Sequence, residues 1–89
     1  MDKIQKKKLK KATLKAFEIA NKAMNEHDCY HSAHEGYAIL LEEVNELWAH
    51  VIQKPKNRCL SSMQIEALQI AAVAIRFASE VCDEERGRK

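Results

Sequence analysis

Two glycines and one proline in 89 residues leave this chain almost without the turn formers that a sandwich or a run of hairpins needs at regular intervals. An all-β fold is excluded. The three cysteines, Cys29, Cys59 and Cys82, are odd in number and widely spaced. They do not make a disulfide scaffold, and with no apolar leader ahead of the first helix they point to a reducing, cytoplasmic setting. The longest uninterrupted apolar run, Ile70 to Ile75, falls far short of the ~18 residues of a membrane span. Neither a Gly-rich phosphate loop nor a Ser/His/Asp grouping is present, so P-loop and triad chemistry are poorly supported.

What is present is a chain with 46% apolar and 31% charged residues, well outside the disordered class and sized for one domain over 1–89. Its charge is unevenly placed. Residues 1–22 hold eight lysines against Asp2 and Glu18, whereas the whole chain nets only +2, so an acidic body follows a basic first segment. Such a segment reads either as a contact for nucleic acid or another polyanion, or as a solvated helix face. The second reading is favoured, because no arginine or aromatic is interleaved with the lysines.

Three helices are predicted, and the fold class is all-α. Ile4, Leu9, Ala12, Ala16, Phe17, Ala20, Ala23 and Met24 recur at spacings of three and four, which gives an amphipathic helix over about 3–25. Ser32 and Glu35 form a capping box that opens a second helix, about 32–53, whose apolar period runs from Ala33 to Ile52 and is ended by Pro55. The short connection makes its neighbour antiparallel. A second capping box, Ser61 with Gln64, opens a third helix over about 61–83, leaving 84–89 as a frayed tail. From Ile70 to Ala78 the third helix is apolar nearly all round. One three-helix core offers such a helix a single face, so the expectation is a three-helix chain that completes a bundle by oligomerisation on this helix.

The carboxylates carry the chemistry. Glu43 and Glu46 are i,i+3 neighbours and Glu42 is i,i+4 to Glu46, spacings at which like charges repel and weaken a helix. A divalent cation gives them a purpose, since Mg²⁺ takes oxygen ligands from a few carboxylates together with substrate phosphates. An ordinary exposed acidic face is the plain alternative. Folding the hairpin about Asn57 sets Glu46 opposite Leu68, so Glu66 and Gln69 flank that level and four side chains share one cavity. Glu80 and Asp83 repeat the spacing but lie roughly 20 Å further along the helix.

The pattern Glu-x-x-Glu, a gap of 19 residues, then Glu-x-x-(acid or amide), set in His34 to Trp48 and Glu66 to Phe77, resembles the all-α nucleoside triphosphate pyrophosphohydrolases of the MazG-like type. The likeness covers roughly residues 32–82. It implies a homodimer or homotetramer that uses Mg²⁺, with Mn²⁺ as a substitute, to cleave a (deoxy)nucleoside triphosphate to monophosphate and pyrophosphate. By this likeness Glu43, Glu46, Glu66 and Gln69 stand at the metal positions, Gln69 where the family usually has aspartate, and Glu42 matches the extra acid before the first pair. Glu42 and Glu43 are the catalytic candidates. Lys54, Lys56, Arg58 and Arg76 are the cations placed to meet phosphates, and Trp48 is a candidate to stack on a base, although its place on the apolar period suits a core or interface role better. Arg76 suits a structural pair with a glutamate equally well. The alternative function is a non-catalytic helical oligomer that binds a nucleotide or a protein partner. His27, Cys29, His31 and His34 invite a zinc reading but lack a second ligand half.

Overall fold

The computed structural model of the chain describes residues 1–83, and its architecture is all-α. The tail 84–89 lies outside the described residues. Helix α1 spans Lys3–Glu26, α2 spans Ala33–Val51 and α3 spans Leu60–Arg76, continued by a single π turn at Phe77–Val81. A short 3-10 turn, Pro55–Asn57, sits between α2 and α3. No helix among the described residues is long and apolar enough to cross a membrane.

The helix starts show how local side chains set these limits. Asp2 caps α1 by accepting the Gln5 N–H at 2.8 Å, and the Gln5 side chain returns the favour to the Asp2 N–H at 3.1 Å. The Ser32 hydroxyl accepts the Glu35 N–H at 3.0 Å as predicted, but the Glu35 carboxylate reaches one residue further back, to the His31 N–H. The box predicted at Ser61 and Gln64 does not form. Arg58 folds back to donate two hydrogen bonds, 3.1 and 2.7 Å, to the Val51 carbonyl at the end of α2. That closes the connection tightly, α3 begins at Leu60 with Cys59 in the capping position, and Ser61 lies inside the helix. The Cys59 thiol lies 3.3 Å from the Ser61 hydroxyl and accepts from Ser62 at 3.2 Å. These contacts, Ser61 first, lower its pKa to about 7.

Helix α3 is the centre of the molecule. It packs against both α1 and α2, which make no comparable contact with each other. Across α2 and α3, Gly36 meets Phe77 while Glu46 meets Glu66, so one number falls as the other rises and the pair is antiparallel. Along α1 and α3 both numbers rise together, from Lys8 beside Gln64 to Met24 beside Ser79, so that pair is parallel. The central position accounts for part of the all-round apolar character of α3, since α1 and α2 cover two of its sides, while Ile65 and Ile75 remain exposed on it.

The longest uncovered apolar stripe lies on α2. Tyr37, Leu41, Val44, Trp48 and Ile52 form a stripe at helical spacing on the outer side of α2, with Tyr37 and Trp48 each 60% exposed. Leu14 and Phe17 of α1 are exposed as well. The buried apolar residues are few and mostly small, namely Ala16, Ala20, Tyr30, Ala72 and Val73, and no described side chain falls below 2% exposure.

One buried polar knot pins the α1–α2 connection to the end of α3. Arg76 Nε donates to Glu80 Oε2 at 2.7 Å, and both residues are buried, at 8% and 3% exposure. The other Glu80 oxygen accepts the Tyr30 N–H at 2.8 Å, while Arg76 also donates to the Asp28 carbonyl at 3.2 Å. The guanidinium lies 4.2 Å from the centre of the Tyr30 ring, a cation–π contact. Glycine is required opposite the knot. A Cβ on Gly36 would lie 2.7 Å from Cδ2 of Phe77 and 3.1 Å from Cδ2 of Tyr30, so α2 approaches both rings only where it carries no side chain.

Candidate metal centre

Gly36, Leu40, Glu43, Leu47 and His50 fall on one face of α2, since each step of three or four residues returns near the same direction. That face is turned to α3. Glu43 is therefore drawn into the α2–α3 seam and is half-buried, Glu46 stands exposed at its edge, and Glu66 enters half-buried from α3. One carboxylate oxygen from each of the three lies within 4.8 Å of the others. Among the described residues this is the group of His, Cys, Asp and Glu side chains close enough to share an ion; His27, Cys29, His31 and His34 do not assemble into one.

The electrostatics are those of crowded anions. Burial pushes the Glu43 carboxyl above its usual 4.5, and the charges of Glu46 and Glu66 raise it further, with a smaller contribution from Glu42. Glu66 is also raised, first by the Glu46 carboxyl within hydrogen-bonding reach, then by burial and by the Glu46 charge; His50 acts in the opposite sense. One oxygen of Glu66, Oε2, is shut off from solvent and has no hydrogen-bond donor among the described residues. Three converging carboxylates, one with an orphaned buried oxygen, match the donor set that a hard divalent cation takes.

The raised pKa values fix a pH dependence. Between 4.5 and the raised values the folded chain holds more protons than the unfolded chain, so stability falls as pH rises through that window. The penalty is complete above the folded values and absent below 4.5. Without metal, Glu43→Gln is therefore expected to raise the urea midpoint at pH 7 and to narrow the wild-type gap between pH 5 and pH 7. An equal or lower midpoint for the variant at pH 7 would show that the three carboxylates do not strain the fold.

The other candidate residues fall in different places. Gln69 lies one turn beyond Glu66 on α3, is half-buried, and by the antiparallel register stands level with Glu43. Glu42 is exposed, outside the trio but near enough for its charge to act on Glu43. Trp48 is on the outer stripe of α2, about 200° round the helix from Glu46, and so is not brought to the carboxylates. Arg76, a candidate for phosphate, is committed to Glu80, Tyr30 and Asp28. Arg58 is committed to the Val51 carbonyl, and Lys54 and Lys56 are exposed in the connection. His50 is half-buried and acts on Glu66 across the seam. Its i,i+4 spacing from Glu46 is the signal that would have found it.

The chain matches no family model, no curated protein and no solved structure.

Proposed function

We propose that the chain is a MazG-like, Mg²⁺-dependent nucleoside triphosphate pyrophosphohydrolase. The observation that carries this reading is the convergence of Glu43, Glu46 and Glu66, from two antiparallel helices, within 4.8 Å. These three residues would hold the metal, and Gln69 offers a neutral carbonyl oxygen beside them. Bound there, Mg²⁺, or Mn²⁺ in its place, would neutralise triphosphate charge and lower the pKa of water. Glu42, outside the trio, orients the attacking water and accepts its proton as the water oxygen bonds to phosphorus and the α–β anhydride bond breaks. The products are the monophosphate and pyrophosphate.

The reading includes a second copy of the chain, as dimer or tetramer. A five-residue apolar stripe on α2 together with a core of mostly small side chains supports it, since small domains that leave such surface in water are marginal alone. A non-catalytic helical oligomer is the second reading, favoured by the amide at Gln69 in place of a fourth acid.

One assay separates the two. The protein is incubated with a panel of ribo- and deoxynucleoside triphosphates, with and without Mg²⁺, and monophosphate plus pyrophosphate is resolved from diphosphate plus phosphate. Metal-dependent monophosphate and pyrophosphate is the expected result. A folded, oligomeric protein that turns over none of the panel would replace the enzyme reading with the binding module.

A further inference from the structure

The arginines that the sequence offers to phosphate are engaged in holding the fold together. Three lysines stand elsewhere around a cavity. Between α1 and α3 lies a groove of about 520 Å³ lined by Lys8, Lys11, Ala12, Lys15, Gln64 and Leu68. Lys8, Lys11 and Lys15 follow one another at spacings of three and four, so their ammonium groups stack along one side of α1 and repel. The single ion pair in this set, Lys15 with Glu18, is a 4.0 Å contact between exposed groups and offsets little of that repulsion. Among the described residues Lys8 and Lys11 have no carboxylate partner. Ala12 and Leu68 give the groove an apolar floor, and the Gln64 amide adds a neutral donor and acceptor.

The groove also sits at a telling level. Gln64 and Leu68 bracket Glu66 in the sequence, and two residues on an α-helix turn about 200°, so the groove and the acidic trio occupy opposite flanks of α3 at one height. One helix width separates a cluster of carboxylates from a cluster of ammonium groups. We propose that this groove is a second, separate polyphosphate-binding site, which holds the phosphate chain of a nucleotide on Lys8, Lys11 and Lys15 apart from the carboxylates. The identity of the anion rests on the nucleotide reading of the acidic site; the groove itself does not.

The probe is inorganic tripolyphosphate, titrated calorimetrically into the full chain at low salt with a chelator present, so that no metal bridges it to the carboxylates. Wild type binds. The Lys8→Gln, Lys11→Gln, Lys15→Gln triple variant loses at least about tenfold in affinity, as expected when charge-assisted contacts are removed. A control variant, Lys3→Gln, Lys6→Gln, Lys10→Gln, makes the same change in net charge on the same helix outside the groove and retains most of the affinity. Glu66→Gln, across α3, does not weaken binding. All of these positions except Glu66 are exposed, so the lysine variants keep the fold, which far-UV circular dichroism checks. No binding by wild type, or equal losses in the two lysine variants, overturns the proposal. A single-stranded oligonucleotide serves as a second probe: if the groove variant loses the oligonucleotide and keeps tripolyphosphate, the site reads nucleic acid and the proposal fails. Selective loss of tripolyphosphate in a chain that hydrolyses no nucleotide would leave the groove standing and sink only the enzyme reading.

Discussion

Glu80→Ala is expected to cost about 3–5 kcal/mol, a large share of the stability of so small a domain. The size of the effect follows from what stays behind. Arg76, 8% exposed, would be left with its positive charge buried against the Tyr30 ring and one backbone carbonyl, and the Tyr30 N–H would lose its acceptor. Breaking a buried pair from one side is costly because the remaining ion is neither solvated nor paired. A domain of this size has a total stability of only about 5–10 kcal/mol, so one such loss is a large share of it. The double variant Arg76→Met, Glu80→Leu removes both charges and should recover part of the lost stability, the unsatisfied Tyr30 N–H keeping roughly 1–3 kcal/mol of the deficit. Urea midpoints followed by far-UV circular dichroism give both numbers. A single variant with an unchanged midpoint would mean that the knot contributes nothing to the fold.

The knot also marks where sequence reasoning stops. Helical periods, the Ser32 cap and the stop at Pro55 are local, and from them the three helices emerge within a few residues of their observed ends. The antiparallel register of α2 on α3 was legible too, because a short connection leaves little freedom: Glu46 was expected opposite Leu68 and meets Glu66. Counting outward from that connection places Glu43, Glu46 and Glu66 together. Arg76 was harder. Its i,i+4 spacing from Glu80 is visible in the sequence, but the decision between that partner and a phosphate is made by Asp28 and Tyr30, 48 and 46 positions away, which no local pattern brings to α3. The all-round apolar character of α3 was legible as a pattern and ambiguous as a cause. A helix flanked by two others in its own chain and a helix flanked by a second copy carry the same sequence signature. The outer stripe of α2, from Tyr37 to Ile52, was the sharper sign of uncovered surface, hidden because the period of a single core and the period of two adjacent faces overlap.

Glu43→Gln should make the protein more stable and nearly inactive at once. Glu43 is the most enclosed by charge of the three carboxylates, raised by burial and by Glu46, Glu66 and Glu42 in turn. Replacing it with the neutral amide removes those repulsions without changing the shape of the side chain, hence the higher midpoint at pH 7 without metal. The same charge is what a divalent ion would use. In wild type, added Mg²⁺ is expected to raise the melting temperature progressively with its concentration, rising logarithmically above the Kd, because a ligand that binds only the folded state stabilises it by mass action. In the variant the Mg²⁺-dependent rise should be largely lost, and turnover of the preferred triphosphate should fall by about a hundredfold or more. Protons and metal compete for these oxygens, so the wild-type response to Mg²⁺ should weaken as pH falls toward the raised carboxyl values. The pairing of the two readouts is what discriminates. A variant that loses turnover and also loses stability has only damaged the α2–α3 seam, whereas one that gains stability while losing the metal response identifies Glu43 as a charge held in place against the fold's own preference. A variant that still melts higher with Mg²⁺ and still turns over substrate would remove Glu43 from the site and the proposed reaction with it.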